Sequence, residues 1–268
     1  MIIKGLPKFG TEKELFDFIV DNEQTIFSQA KSQIKEADSF SHLTEPLKNN
    51  FSTKEIEVGG VNLIDKAVLE VKAVINTTNI LDSHKDVHIP GLWDKSLKES
   101  SSRILHVQEH KSREFSKLIS SGGDLKAYTE TVTFKSLGYN FKGLTEALTF
   151  DSKVRKARNE YMHSQYALKY VNNHSVGMIY VKMVTCINDE DYPVQKENWD
   201  KYSQEIVNQD ALIGVKYFWA VLEAKAIEGS AVPNGSNFVT PTTSIKSNEE
   251  TVVESKELKA IKKFLNID

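Results

Sequence analysis

The chain has 268 residues, 40% of them hydrophobic and 26% charged, which is enough material for one or two domains with a real core. With 34 Lys plus Arg against 37 Asp plus Glu, the net charge of −3 carries no basic excess of the kind nucleic acid attracts. No apolar run reaches the roughly 18 residues that span a bilayer, and Met1 to Pro7 lacks a basic-then-apolar secretory start, so neither a nucleic-acid nor a membrane partner is expected. Cys186 is the single cysteine, which rules out an internal disulfide framework and Cys-rich zinc sites and suits a reducing cytoplasm.

In chain order, residues 1–62 are expected to form a helical extension. Thr11-Glu12-Lys13-Glu14 has the spacing of a capping box, and Leu15, Phe18, Ile19, Ile26, Phe27, Ala30 and Ile34 follow as one apolar stripe at helical spacing. That stripe either packs on the chain's own domain or docks on a partner. Residues 63–240 form the next region, with strands expected at Val68–Ile75, Asp124–Phe134, Val176–Ile187 and Tyr217–Ile227. Helices are expected at Asp151–Val171 and Lys196–Leu212. Strands interrupted by helices, without regular βαβ alternation, predict an antiparallel barrel or an α+β sheet. Residues 241–268 close the chain as a polar linker beginning around Thr240, followed by a short stripe at Leu258, Ile261 and Leu265.

Several side-chain patterns invite chemistry. Asp82, His84, Asp86 and His88 alternate as they would on one face of a strand, but Ile89-Pro90-Gly91 follows, which favours a solvated loop over a metal site. His106-Val107-Gln108-Glu109-His110 has the letter pattern of an inverted zinc-protease motif, which works only on a helix, whereas Arg103 to Val107 reads as a strand running into a polar loop. Cys186 lies in an apolar strand with no neighbouring positive charge and reads as a buried, inert thiol. His174-Ser175-Val176-Gly177-Met178 opens a hydrophobic strand with a hydroxyl, and Gly177 permits a close approach. A serine becomes nucleophilic only beside a base whose ring is held by a third group.

Four segments taken in order resemble the caudoviral prohead (capsid-maturation) serine protease family, related to herpesvirus assemblin. They are Asp86-Val87-His88-Ile89-Pro90-Gly91-Leu92-Trp93-Asp94-Lys95-Ser96-Leu97; Val107-Gln108-Glu109-His110-Lys111; His174-Ser175-Val176-Gly177-Met178; and Glu228-Gly229-Ser230-Ala231-Val232-Pro233 with Asn237 beyond. The match runs over about residues 65 to 240. Met178 stands where the family usually has an aromatic residue, and a long insertion near Val194–Leu212 separates the third and fourth segments. The resemblance implies an assemblin-like β-barrel surrounded by helices and a serine endopeptidase without cofactor or metal. Its implied substrates are the major capsid protein and scaffold precursors. It further implies self-cleavage, a homo-oligomer, and a place inside the viral prohead as it assembles in the bacterial host cytoplasm.

Carried onto matching positions, the resemblance makes Ser175 the nucleophile and His110 the general base. The related herpesvirus enzymes use a second histidine downstream of the serine, and none follows His174 here; the resemblance then leaves a carboxylate to hold the imidazole, Glu228 by its place in the motif or its rival Glu223, unless the third position is empty. His174 would face away from its neighbour Ser175 if both lie on a strand, and would compete with His110 only from a turn.

Overall fold

The computed structural model describes residues 8–32, 63 and 66–247. Two helices open it, α1 (Glu12–Asp21) and α2 (Glu23–Ser32). Thr11 accepts the Glu14 backbone N–H at 3.2 Å, and the Glu14 carboxylate turns back to the Gly10 amide at 2.8 Å, one residue earlier than in the usual box. The expected single helix is two, because Asn22 caps α1: its backbone and side-chain N–H groups both donate to Phe18 O. The stripe packs on the chain's own domain. Phe16 and Ile19 are buried, with Phe16 against Tyr192 and Tyr217, and Phe27 and Ala30 of α2 lie on the main core. Residue 34, residues 35–62 and the tail stripe beyond 247 lie outside the described residues.

The remainder is an α+β fold of two sheets. The first is antiparallel throughout and contains β1 (Val68–Thr77), β5 (Leu125–Thr133), β6 (Leu144–Arg155) and β9 (Thr242–Ser247) in the order β5-β6-β1-β9. The second is built on β8 (Tyr217–Ala231), which pairs antiparallel with β7 (His174–Ile187) along nearly its whole length. On its other side β8 receives, in parallel, β2 (Asp86–His88) at residues 219–221 and β3 (Leu105–Gln108) at residues 228–231; β4 (Leu118–Ser121) pairs antiparallel with β3. Short helices α3 (Asp94–Ser100), α4 (Glu160–Ala167) and α5 (Pro193–Tyr202) occupy the connections.

The main core forms between the sheets from Leu69, Val71, Ala73 and Ile75 of β1, Leu148 and Phe150 of β6, Val176 and Met178 of β7, and Trp219 and Val221 of β8. Burial of such side chains contributes about 1.5–3 kcal/mol each. Gly229 marks the tightest approach: a Cβ there would meet Phe150 Cε2 at 2.4 Å and Ile75 Cγ2 at 2.9 Å.

Four expectations need correction. Among the described residues the sheets do not close into a barrel. Where a ladder would join β1 to β7, the Asn237–Pro241 segment makes isolated bonds instead, Val74 N–H to Pro241 O at 3.0 Å and His174 N–H to Thr240 Oγ1 at 3.2 Å. The polar stretch from Thr240 is no linker, since Thr242–Ser247 is a strand and the hydroxyls of Thr240, Thr242 and Thr243 donate to His174 O, Val171 O and Lys72 O. Asp151–Val171 is not one helix, because β6 continues through Arg155 with Ser152 and Val154 turned inward and Asp151 and Lys153 outward. Similarly, the helix expected over Lys196–Leu212 is α5 followed by short 3₁₀ turns.

Candidate active site

Strand parity builds the site. In the β7–β8 ladder Ser175 stands opposite Ser230 and Gly177 opposite Glu228. These four share one face, because their intervening neighbours point inward: Val176 joins the core, and Gly229 lies against Phe150 and Ile75. The absent side chain of Gly177 makes room for Glu228, whose Oε1 lies 2.1 Å from where a Cβ would stand. The close approach that Gly177 permits is therefore that of a carboxylate.

His110 reaches this face from the turn after β3. Glu109 and His110 both adopt left-handed backbone, with φ of 50° and 58°, a conformation that non-glycine residues rarely hold. Two bonds to β8 hold it: Glu109 N–H donates to Ala231 O at 3.0 Å, and His110 N–H to Ser230 Oγ at 2.7 Å. The ring then meets Glu228, with Nδ1 2.6 Å from Oε1. A carboxylate can only accept, so Nδ1 carries the proton of this bond, and in the neutral ring Nε2 is the nitrogen left with a lone pair. His110, Ser175 and Glu228 are all buried, at 9%, 5% and 1% exposure.

Ser175 stands beside the residue that holds the His110 backbone. Directly opposed residues in an antiparallel ladder have Cβ atoms about 4.5–5.5 Å apart, and the side chain opposed to Ser175 is the one that binds the His110 amide. No hydrogen bond joins Ser175 Oγ to His110; such bonds are often long before substrate binds. A cavity of about 10 Å³, room for one water, adjoins Ser175 between Asn76, His88, Ser236 and Asn237.

Glu223 is not near this set. It pairs with Lys182 in the ladder and forms an ion pair with Lys95 at 3.3 Å. Asn237 braces the fold, accepting from Val239 N–H and Thr77 Oγ1 and donating to Thr77 O. Asp82, His84, Asp86 and His88 are buried rather than solvated: Asp82 Oδ1 accepts the amides of His84 and Asp86, Asp86 accepts from Tyr180 OH, and His88 Nδ1 meets the Asn76 amide. Among the described residues no three His, Cys, Asp or Glu side chains converge as a metal site. Cys186 is fully buried, and burial pushes its thiol up.

His106 and His174 point the other way, into a buried chain that residue patterns did not reveal. Ser120 Oγ lies 2.6 Å from Ser152 Oγ, Ser152 Oγ 2.8 Å from His106 Nδ1, and Tyr166 OH between His106 Nε2 (3.1 Å) and His174 Nε2 (3.0 Å). His174 Nδ1 ends the chain 2.9 Å from Thr240 O. Burial lowers both imidazoles, His174 to about 4, and His174 adds repulsion at His106. With neutral rings, one fact orients every proton: a carbonyl only accepts. His174 is therefore the Nδ1–H tautomer, Tyr166 donates to its Nε2, His106 Nε2–H donates to Tyr166, and Ser152 donates to His106 Nδ1. Because Thr240 also binds the His174 amide and carbonyl, the residue before Ser175 is held at every polar atom. Tyr166 is the member that sequence gave no sign of, since only the fold brings α4 between the two rings.

No family model matches the chain, and neither does any curated protein or solved structure.

Proposed function

We propose that the chain is a serine endopeptidase of the prohead-maturation type, with Ser175 as nucleophile, His110 as general base and Glu228 as the group that orients the base. The observation that carries this reading is the 2.6 Å bond between His110 Nδ1 and Glu228 Oε1, made on the strand face that also bears Ser175. In the mechanism, His110 Nε2 takes the Ser175 proton as Oγ attacks a peptide carbonyl, then returns it to the leaving amine. Water resolves the acyl-enzyme by the same route in reverse. Glu228 fixes the tautomer and stabilises the imidazolium that forms. The substrates are scaffold and capsid precursors in a shell assembling in the bacterial cytoplasm, copies of the chain associate with one another, and self-cleavage belongs to the same reading.

A fluorophosphonate probe of activated serines tests the chemistry, and a co-expressed capsid precursor tests the substrate. Wild type is expected to be labelled at Ser175 and to process the precursor, while Ser175→Ala and His110→Gln do neither. Equal processing by wild type and Ser175→Ala would overturn the proposal. The competing reading is a non-catalytic assembly protein on a protease-like scaffold; it is favoured by the burial of all three side chains and, among the described residues, by the absence of a hydrogen bond between the Ser175 hydroxyl and His110. Wild type that is folded but unlabelled supports that reading.

A further inference from the structure

We infer that Ser230 is a positioning residue that sets the distance between base and nucleophile, an inference resting on the catalytic reading of Ser175, His110 and Glu228. Ser230 Oγ accepts the His110 backbone N–H at 2.7 Å while its Cα stands in register with Ser175. One side chain thus flanks the nucleophile and holds the backbone of the base. Ser230 is fully buried, so no bulk solvent replaces its hydroxyl as acceptor. The need for such a tether lies in the turn: Glu109 and His110 are consecutive left-handed residues, and neither is glycine. Such backbone persists only where its surroundings over-determine it. Ala231 O holds the first amide and Ser230 Oγ the second. The Glu228 bond fixes only the ring, which can pivot about Nδ1 unless the backbone behind it is also fixed.

The test compares wild type with Ser230→Ala, which removes the acceptor, and Ser230→Thr, which keeps it. Three readouts are taken: the rate of fluorophosphonate labelling at Ser175, kcat and KM on a cleaved precursor peptide, and the low-field NMR resonance of the His110 Nδ1 proton, assigned by its loss in His110→Gln. Ser230→Ala is expected to lower labelling and kcat about 10- to 100-fold, the penalty of displacing a catalytic group by around 1 Å. KM is expected to stay unchanged and the Nδ1 resonance to broaden or shift upfield; Ser230→Thr restores all three. A purely structural role for Ser230 would shift the melting temperature without moving the resonance or splitting kcat from KM. If Ser230→Ala does not fold, Ser230→Cys, close in size with a poor acceptor, is read in its place with the same expectation. Wild-type labelling and resonance in the acceptor-free variant overturn the inference and leave the catalytic reading standing. An unlabelled wild type overturns the catalytic reading, and this inference with it.

Discussion

If the proposed catalytic reading holds, replacing Gly177 with alanine inactivates the protein without touching Ser175 or His110. The new Cβ would lie 2.1 Å from Glu228 Oε1, 2.7 Å from Cδ and 2.9 Å from Cγ, against the 3.4 Å at which ordinary contact begins. Oε1 must therefore retreat by about 1.3 Å, from 2.1 to 3.4 Å. The retreat breaks the 2.6 Å bond to His110. The carboxylate has nowhere to swing freely, being 1% exposed. Overpacking of this kind destabilises by about 1–3 kcal/mol, and loss of the orienting group lowers the rate about 10²- to 10⁴-fold. Fluorophosphonate labelling of Ser175 measures the loss. Gly123→Ala, where no heavy atom lies within 4 Å, is the silent control. A double-mutant cycle sharpens the test, because Glu228→Ala removes all three crowding atoms. In that background Gly177→Ala should add almost nothing. Labelling of Gly177→Ala at the wild-type rate, or strictly additive losses in the cycle, would refute the steric reasoning.

Two further outcomes follow from the interior. His174 titrates near 4 in the folded protein, below the ordinary imidazole value of 6.5, so the unfolded chain binds more protons between those values and stability falls as pH drops through that window. Its contribution is about 3 kcal/mol, and His106 acts in the same direction. Urea midpoints from pH 7 to 4 should therefore fall more steeply for wild type than for His174→Gln, and parallel slopes would contradict the assignment. Phe16→Ala should cost about 3–5 kcal/mol through its lost contacts with Ile187, Tyr192 and Tyr217. Protease resistance of α1 in that variant equal to wild type would show that the helix is not anchored by that ring.

The parts of this molecule readable from its sequence are those that depend on neighbours along the chain. Thr11 and Glu14 announced the first helix because capping is local. The strandward placement of Ser175, and hence the inward turn of His174, followed from period two. Glu228 over Glu223 was left to a motif, and the geometry separates them: one meets His110 and the other Lys95. Where reading failed, polar residues did inward work. Ser152 hides the alternation of β6 because it is a buried hydroxyl serving His106. The Thr240–Ser244 run looked like a tether because its hydroxyls' backbone partners lie far away in sequence. Asn22, which breaks the N-terminal helix, interrupts no apolar spacing. The solvated reading of Asp82–His88 missed that Asp82 Oδ1 and His88 Nδ1 find their partners inside the protein.

The odd–even arithmetic of β8 has a consequence for how this protein can vary. Gly229 fits where only hydrogen can stand, between Phe150 and Ile75, and Glu228 fits where Gly177 leaves a gap. Sliding the strand by a single position would drive a carboxylate into hydrocarbon and leave the imidazole facing a bare glycine. Residues 174–177 accordingly pair with residues 228–231 without interruption, and the irregularities of this ladder all fall between Gly177 and Met183, beyond the stretch that carries Ser175, Glu228 and Ser230.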